Sequence, residues 1–454
     1  MLPSAVRWSP GRREGAGELR HRTGRAAWGH LLAGVLLLGT LTACSGDGPT
    51  ALSAPEVFYL RAHGGQKVFP LSVDGGGSPY ARPGTRRLTV DVAPGSEDVV
   101  RLDGSGPDCA GDATHVTCDV AGTDLGAAGT RGFVPLAAKG GRPGDTGYLR
   151  FSYATEDGRK LTARTRVVVG EPELRLLTAA PVERVRPGAG ITSPVVVRNT
   201  GDVPARGLTL VVDSGDLEFA RRYANCRYPG LRHGRQAVCR FPDLVVPPGE
   251  TVAVRPGLRL RASTTRMYGS FRRQVWPTDA GPGQYQNFSA GGDHGDGPAL
   301  RAARTDAVKG AFAVDQDWVS VSLDTRADYA VTGARLHGAP GDRRTLRLTV
   351  RNDGPGDPGH AARLVFTPPP GTTVLKEPME PIDEDVYAPH CRHGDYDYVC
   401  DVGALEPGSS RTFEFTVRLG EPGTGSVRLT DASPRTGRHD PDPSDDRATV
   451  TVTG

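Results

Sequence analysis

A pair of cysteines followed by a leucine, a turn at or near a glycine, and an alternating strand occurs three times in this chain. The clearest copy covers residues 391–419. Earlier copies begin at Cys226 and Cys109 and keep the same order of features. A pattern that recurs along a chain indicates a repeated structural unit. The sequence therefore predicts three modules in tandem.

The segments between turns have apolar residues at every second position, as in residues 87–92 and 346–350. This alternation is typical of short β-strands that bury one face. Gly and Pro supply 61 and 38 of the 454 residues, a content that approaches that of disordered chains. Because the apolar residues are patterned, we expect an all-β chain rather than a disordered one.

The positive charge of the chain is concentrated in its first 30 residues, which hold six arginines and two glutamates. The whole chain has a net charge of +3, so the remainder is close to neutral. A neutral body lacks the electrostatic footprint of a nucleic-acid-binding protein. We therefore expect no nucleic-acid partner.

The N-terminal stretch has a basic part and an apolar run over residues 31–41, too short for a transmembrane helix and typical of a secretory signal. Residues 41–44, Leu-Thr-Ala-Cys, resemble a bacterial lipobox, in which the cysteine receives diacylglycerol. We expect a signal peptide over 1–43, lipidation at Cys44, and a tether over 44–54. The alternative is simple cleavage after Ala54. We therefore expect an exported protein on the outer face of the cell membrane. The alternative is a secreted protein.

The other six cysteines form three pairs that enclose eight, twelve and eight residues. An even count places two cysteines opposite each other across a hairpin, and export permits their oxidation. Zinc is the competing hypothesis, but it would require further ligands such as a C-x-x-C pair. The expected disulfides are Cys109–Cys118, Cys226–Cys239 and Cys391–Cys400. The odd cysteine is then Cys44, which supports its lipidation.

Two modules share more than the cysteines. Both have Val-Arg-Asn-x-Gly, at 197–201 and 350–354, and a leucine, Leu244 or Leu405, before a Pro-Gly pair. With the acidic stretch at 440–446, these features resemble a bacterial cell-surface repeat, the domain of unknown function eleven. The resemblance implies an immunoglobulin-like β-sandwich, found in tandem on secreted and wall-associated proteins. It says almost nothing about binding or catalytic chemistry.

The resemblance covers about residues 172–454 and is weaker for the first module. Asp445-Asp446 departs from the Asn-Asn usual in the family, and module two lacks this terminal motif. The expected fold is all-β, with three tandem immunoglobulin-like β-sandwich domains after a lipoprotein signal peptide. The expected bounds are 55–170 for module one, 171–312 for module two with a Gly-rich loop at 279–297, and 313–454 for module three.

The Asn-x-Gly sequences predict tight turns at the ends of two strands. Asn and Gly tolerate positive φ angles, and an Asn side chain can bond to its own backbone. We expect both effects at Asn199 and Asn352.

Residues 267–298 are rich in glycine and aromatic residues, and long irregular loops are usually functional or disordered. The candidates for a binding loop are Trp276, Tyr285 and Phe288. The alternative is that Tyr268, Phe271 and Trp276 lie in a strand and pack in the core, which leaves only residues 279–297 as a flexible loop.

Two clusters could bind a metal ion. The first is His390, Cys391, His393 and Asp395, but Cys391 has a disulfide partner and neighbours on a strand face opposite ways. The second is the acidic end, with Asp440, Asp442, Asp445 and Asp446. It offers oxygens that Ca²⁺ could use, but it lacks the glycine and glutamate of an EF-hand. A solvated turn is the expected alternative, so no metal or cofactor is assigned.

The chain contains no G-x-S-x-G, H-E-x-x-H or P-loop motif, and we assign no catalytic residue. We expect a non-enzymatic cell-envelope lipoprotein with a structural or adhesive role. Its partner would be a cell-envelope polymer or surface protein, and it would contact the membrane only through its lipid. The alternatives are a ligand- or Ca²⁺-binding surface receptor and, less favoured, an accessory protein of an enzyme.

Overall fold

The structure is a computed structural model that describes residues 51–62, 66–74, 85–104, 106, 108–121, 132–154, 159–229, 235–282, 291–306, 308–359, 362–383, 386–432 and 437–454. The regular elements in these ranges are 34 β-strands arranged in eight sheets. The all-β expectation is therefore confirmed. Within the same ranges, no helix has the length and apolar character needed to cross a membrane.

Module one contains ten strands. They are β1 (Ala51–Ser53), β2 (Val57–Leu60), β3 (Ser72–Asp74), β4 (Thr85–Val92), β5 (Val100–Asp103), β6 (Cys109–Gly111), β7 (His115–Ala121), β8 (Val134–Ala137), β9 (Thr146–Ala154) and β10 (Lys160–Val169). The main sheet has the order β2-β10-β9-β4-β7-β6, and β2 runs parallel to β10. The pairs β1-β3 and β5-β8 contribute Leu52, Val100 and Leu102 to the same hydrophobic core. Residues 51–54, which were predicted as part of the tether, therefore belong to module one.

Module two contains the next twelve strands. They are β11 (Leu174–Leu176), β12 (Val182–Val185), β13 (Gly190–Asn199), β14 (Ala205–Asp213), β15 (Glu218–Phe219), β16 (Cys226–Tyr228), β17 (Gln236–Val246), β18 (Thr251–Arg261), β19 (Tyr268–Trp276), β20 (Asp293–His294), β21 (Arg301–Arg304) and β22 (Gln316–Leu323). One sheet has the order β11-β13-β18-β15, with β21 also on β18, and the other has the order β12-β22-β19-β14-β17-β16-β20.

Module three contains the last twelve strands. They are β23 (Tyr329–Val331), β24 (Ala334–His337), β25 (Arg343–Asn352), β26 (Ala362–Thr367), β27 (Thr373–Lys376), β28 (Met379–Asp383), β29 (Val386–Pro389), β30 (Cys391–His393), β31 (Tyr398–Asp401), β32 (Ser410–Arg418), β33 (Gly423–Asp431) and β34 (Arg447–Thr453). Its sheets have the orders β23-β25-β32-β27 and β24-β34-β33-β26-β31-β30, and β28-β29 is a separate hairpin. Strands β12 and β24 run parallel to the last strand of their modules, as β2 does in module one.

The boundary between modules two and three differs from the predicted one. Strand β22 pairs antiparallel with β19 along residues 316–322 and parallel with β12, so it completes a sheet of module two. Module three therefore begins after Leu323, and residues 313–323 do not belong to it. The prediction failed because about 40 residues separate β22 from its partner β19, a connection longer than most within a domain.

Each of the three cysteine pairs forms a disulfide inside a two-stranded hairpin at one side of a sheet. The paired cysteines lie directly opposite each other in the strand register, with Cα atoms 3.9–4.1 Å apart. The disulfide pairing predicted from the spacing is confirmed in the structure. The hairpins occupy equivalent places in their sheets. The sheet orders contain β4-β7-β6 in module one, β14-β17-β16 in module two and β26-β31-β30 in module three.

Asn352 is fully buried and joins four separate backbone groups. Its side-chain oxygen accepts hydrogen bonds from the N–H groups of Gly354 and Asp328 at 3.1 and 3.3 Å. Its amide nitrogen donates to the carbonyl oxygens of Gly356 and Leu405 at 2.7 and 2.8 Å. One side chain therefore satisfies four polar groups in the interior of module three, where an unpaired group would be costly.

Asn199 makes the same set of bonds in module two. Its oxygen accepts from Gly201 and Glu173 at 3.0 and 3.1 Å, and its nitrogen donates to Val203 and Val246 at 2.8 Å each. The residue that corresponds to Leu405 is thus Val246, and the sequence match to Leu244 is wrong. The expected bond between each Asn side chain and the local backbone is confirmed, and it is made by the N–H group two residues further on.

The glycine of each Asn-x-Gly is needed for a reason other than the expected one. Gly201 and Gly354 do not have positive φ angles. A Cβ atom on Gly201 would collide with the carbonyl oxygen of Glu171, and one on Gly354 would lie 2.5 Å from the nitrogen of Asp328. Close approach of the first strand of the module excludes a side chain here, so the positive-φ prediction is wrong at these positions.

A buried ion pair crosses the core of module two. Arg273 is 1% exposed and bonds to the carboxylate of Asp317, which faces it directly on the neighbouring strand. Arg273 also donates to the carbonyl oxygens of Pro194 (2.8 Å) and Leu177 (3.4 Å), and Asp317 accepts from the N–H of Ala179 at 3.0 Å. Because residues 177–179 connect β11 in one sheet to β12 in the other, the pair fixes this crossover.

Candidate functional site

The segment between β19 and β22, where a binding loop was predicted, provides edge strands for both sheets of module two. Strand β20 pairs with β16 at the end of one sheet, and β21 pairs with β18 in the other. Such pairing covers strand edges that would otherwise be open to other chains. Added Cβ atoms on Gly292 and Gly295 would collide with the backbone of Tyr228 and Tyr223, so glycines let this segment lie close to the module.

The three binding-loop candidates have different outcomes. Trp276 is the last residue of β19 and is 6% exposed, in a buried cluster with Val211 and Val238. It lies in a strand and is not available as a surface contact, because its ring is enclosed. Tyr285 and Phe288 lie outside the described residues, as does the predicted lipidation site Cys44.

The junction between modules one and two is fixed by side chains on both sides. Val57 and Tyr59 of module one form a buried cluster with Val203 of module two. The Tyr59 hydroxyl donates to Asp279 at 2.6 Å, and burial together with this carboxylate raises the pKa of Tyr59. Asp279 begins the predicted flexible loop, so that end of the segment is held in place.

The junction between modules two and three is joined by residues that precede and begin β19. Met267 is buried among the core residues of module three. Arg266 forms an ion pair with the buried carboxylate of Asp357 at 3.3 Å. The hydroxyl of Tyr268 donates to the carbonyl oxygen of Gly437 at 2.7 Å, and burial raises its pKa. Both junctions are therefore specific interfaces rather than free linkers.

The hairpin β28–β29 and the end of β27 hold a group of exposed apolar side chains. Five of the nine exposed large apolar side chains in the described residues belong to this group. They are Leu375, Met379, Ile382, Val386 and Tyr387. Exposed apolar side chains that are grouped on one hairpin make that hairpin a candidate contact surface. In the sequence, residues 377–390 contain five acidic residues and no lysine or arginine, so this segment has a net negative charge.

Two histidines attach this hairpin to module three. His390 bonds through Nδ1 to Glu380 at 2.6 Å and through Nε2 to the carbonyl oxygen of Asp401 at 2.7 Å. His393 bonds to Glu377 at 2.8 Å. The histidines thus have partners in the hairpin, and the sulfur of Cys391 is in a disulfide. The remaining member of the first predicted cluster, Asp395, lines a cleft of about 400 Å³ together with His393.

The acidic end of the chain forms two groups that share Asp440. Asp446 and Asp440 bond to the buried guanidinium of Arg438, which also contacts Asp431. The second group brings one oxygen from each of Asp328, Asp440 and Asp445 within 4.8 Å of one another. Ca²⁺ takes about six to eight oxygens. Three carboxylates therefore form only part of such a site.

Asp445 should destabilise the fold at neutral pH. Burial and the neighbouring carboxylates, among them Asp442, Asp440 and Asp328, raise its pKa. A carboxyl with a raised pKa favours the folded state below its unfolded pKa and loses that contribution as the pH rises. We expect Asp445→Asn to raise the melting temperature at neutral pH, with the gain vanishing under acidic conditions.

The control is Asp442→Asn, because hydrogen bonds from Ser444 lower the pKa of Asp442. That change should give a smaller gain than Asp445→Asn, because it weakens these hydrogen bonds while it removes only one of the carboxylates near Asp445. Melting curves at several pH values, with EDTA and with millimolar CaCl₂, provide the measurement. If Asp445→Asn lowers the melting temperature in EDTA, the repulsion argument fails. If Ca²⁺ stabilises the unmodified protein and not the Asp445 variant, the Ca²⁺ hypothesis is supported.

No family model matches this chain, and no curated protein matches it. Among solved structures, an I-band fragment of titin covers 89% of this chain and 98% of its own length at 9% identity, with a TM-score of 0.18. A C-terminal domain of the AgI/II polypeptide BspA of Streptococcus agalactiae covers 63% of this chain and 100% of its own length at 7% identity, with a TM-score of 0.17.

An ectodomain fragment of ICAM-5 covers 89% of this chain and 77% of its own length at 13% identity, with a TM-score of 0.21. Scores at this level do not superpose the whole chain on any of these proteins. The tandem immunoglobulin-like architecture therefore rests on the strand pairing and the disulfides described above.

Proposed function

We propose that this chain is an exported, non-enzymatic lipoprotein that holds an interaction surface on the outer face of the cell membrane. The observation that carries the proposal is the exposed apolar hairpin β28–β29 on module three. Exposure of its apolar side chains to water is energetically unfavourable, and surfaces of this kind usually bind another molecule. Membership of the cell-surface repeat family named above belongs to the same proposal, supported by the matching networks around Asn199 and Asn352.

The build of the molecule supports a structural role. The disulfides suit an oxidising compartment outside the cytosol. Specific contacts at Tyr59 and Met267 keep neighbouring modules in fixed relation, so the modules can act as spacers for the hairpin. An acidic, apolar hairpin fits a surface protein with a basic rim better than it fits a neutral polymer.

The anchor and the adhesive role can be tested with one variant, Cys44→Ala. We expect this change to move the protein from the membrane fraction to the medium, because it removes the acylated sulfur. The released protein should then bind isolated cell envelopes from cells that lack it. Unchanged membrane fractionation would refute the anchor, and released protein that stays in solution would refute the adhesive role.

The same assay can distinguish the contribution of hairpin β28–β29 to envelope binding from that of the rest of the surface. Ile382→Ser with Tyr387→Ser should lower envelope binding about tenfold or more, since central apolar contacts dominate binding energies. Val245→Ser removes an exposed apolar side chain from module two and is the control. Equal losses for the two variants would show that the hairpin is not the contact.

A further inference from the structure

One outer face of module two carries four exposed arginines without carboxylate partners. Arg255, Arg259 and Arg261 lie on β18, and Arg301 lies on β21. None of their guanidinium groups lies within the 4.0 Å limit of an ion pair in the part of the chain that the structure describes. We call these four residues the arginine face.

The strand register of the sheet makes this arrangement of arginines destabilising. Arg255 and Arg301 lie directly opposite each other across the β18–β21 pair, and like charges at such positions are destabilising. Glu218 lies opposite Arg261, but it is not within ion-pair distance. A surface that keeps uncompensated cations in register has a charge pattern suited to an anionic ligand.

The rest of the face is lined with small side chains. Thr192 lies beside Arg259 on β13, and Ala253 lies beside Ala303 across from β21. At the Arg255 end there is an open groove of about 570 Å³, in which Arg304 is already paired with Glu250. The ring of Phe312 lies 4.2 Å from the guanidinium of Arg198 on the neighbouring strand β13, so this ring is already stacked and is less available to a base of single-stranded nucleic acid.

We infer that the arginine face binds a linear polymer with repeating phosphate groups. Arginine presents a planar fork that matches two phosphate oxygens at once. Residues two apart on a strand are about 7 Å apart, so one phosphate cannot reach all four side chains. A chain of phosphates can contact them together, and linked contacts reinforce one another. The inference deepens the proposed envelope role by naming the chemistry of a second partner, and it rests on that role.

Module three shows that the arginine face is not a general property of the fold. On the equivalent face, Arg347 pairs with Glu414 at 2.9 Å, and Arg351 pairs with Asp353. Only Arg343 and Arg418, opposite each other at the end of β25, repeat the unpaired arrangement. These two arginines therefore offer a control with the same change of charge.

The test uses the protein released by Cys44→Ala and measures its affinity for long-chain inorganic polyphosphate. Arg255→Gln with Arg301→Gln should weaken binding about tenfold or more and reduce its dependence on salt, because fewer counterions are displaced. Arg343→Gln with Arg418→Gln should change the affinity by no more than about twofold. Equal weakening by both pairs would overturn the inference.

Three further measurements fix the chemistry of the ligand. Polygalacturonate, a carboxylate polymer, should bind more weakly than polyphosphate, and an equal affinity would overturn the preference for phosphate. An oligodeoxynucleotide that bound more tightly than polyphosphate would reassign the face to nucleic acid. If the Arg255 and Arg301 variant still binds cell envelopes fully, this inference fails while the adhesive role stands.

Discussion

Arg273→Leu is expected to lower the free energy of unfolding of module two by about 3–5 kcal/mol. The substitution leaves the carboxylate of Asp317 buried without its cation and removes the bonds to Pro194 and Leu177. Urea unfolding followed by the fluorescence of Trp276 and Trp318, both in module two, measures the loss. A change below about 1 kcal/mol would show that the pair is not needed for stability.

A second variant distinguishes the effect of losing the Arg273–Asp317 ion pair from the effect of the cavity that the smaller side chain leaves. Arg273→Leu combined with Asp317→Leu removes both charges, and we expect it to recover most of the lost stability. Buried ion pairs are often replaced by apolar residues at little cost, because the desolvation penalty disappears with the charges. Arg272→Leu is the matched control, since its partner Asp213 lies 3.4 Å away in a less buried position. Its effect should be within about 1 kcal/mol.

Asn352→Ala should destabilise module three by about 3 kcal/mol or more. The change leaves the N–H groups of Gly354 and Asp328 and the carbonyl oxygens of Gly356 and Leu405 without their partner. Calorimetry should show one transition shifted down by about 10 °C while the others keep their positions.

The control for Asn352 is Thr424→Ala, an exposed position on β33 of the same module, which should leave the transition within about 0.5 kcal/mol. Asn199→Ala should shift the transition of module two by a similar amount, since its bonds are equivalent. If Asn352→Ala moved all transitions together, the network would act beyond its own module.

The sequence predicted the parts of the fold that depend on neighbours in the chain. The cysteine spacing is a local signal, because an even count across a hairpin brings the two sulfurs together. Asn199 and Asn352 were also identified by local sequence, although their function is wider than a turn. Each ties the end of its strand to the start of its module and to the Pro-Gly turn, where Gly249 and Gly408 donate to the carbonyl oxygens of these asparagines.

Features that depend on distant pairing could not be predicted. In residues 271–276, alternation puts Arg273 on the same strand face as Phe271 and Val275, but it does not say which group would compensate a buried arginine. The compensating group is Asp317, which lies 44 residues later. The acidic cluster is similar, because Asp328 joins Asp440 and Asp445 from the opposite end of module three. Burial of Trp276 also depends on Val211 and Val238, which lie in other strands.

The place of Met267 has a consequence for dividing the protein into recombinant fragments. A fragment that starts at residue 313 would take β22 from the sheet of module two and leave Met267 behind. Each half would then expose an apolar surface that the intact chain covers, and misfolding of such a fragment would reflect the cut rather than the module. Fragments that separate modules two and three should therefore be cut after Leu323 and should replace the contact that Met267 makes.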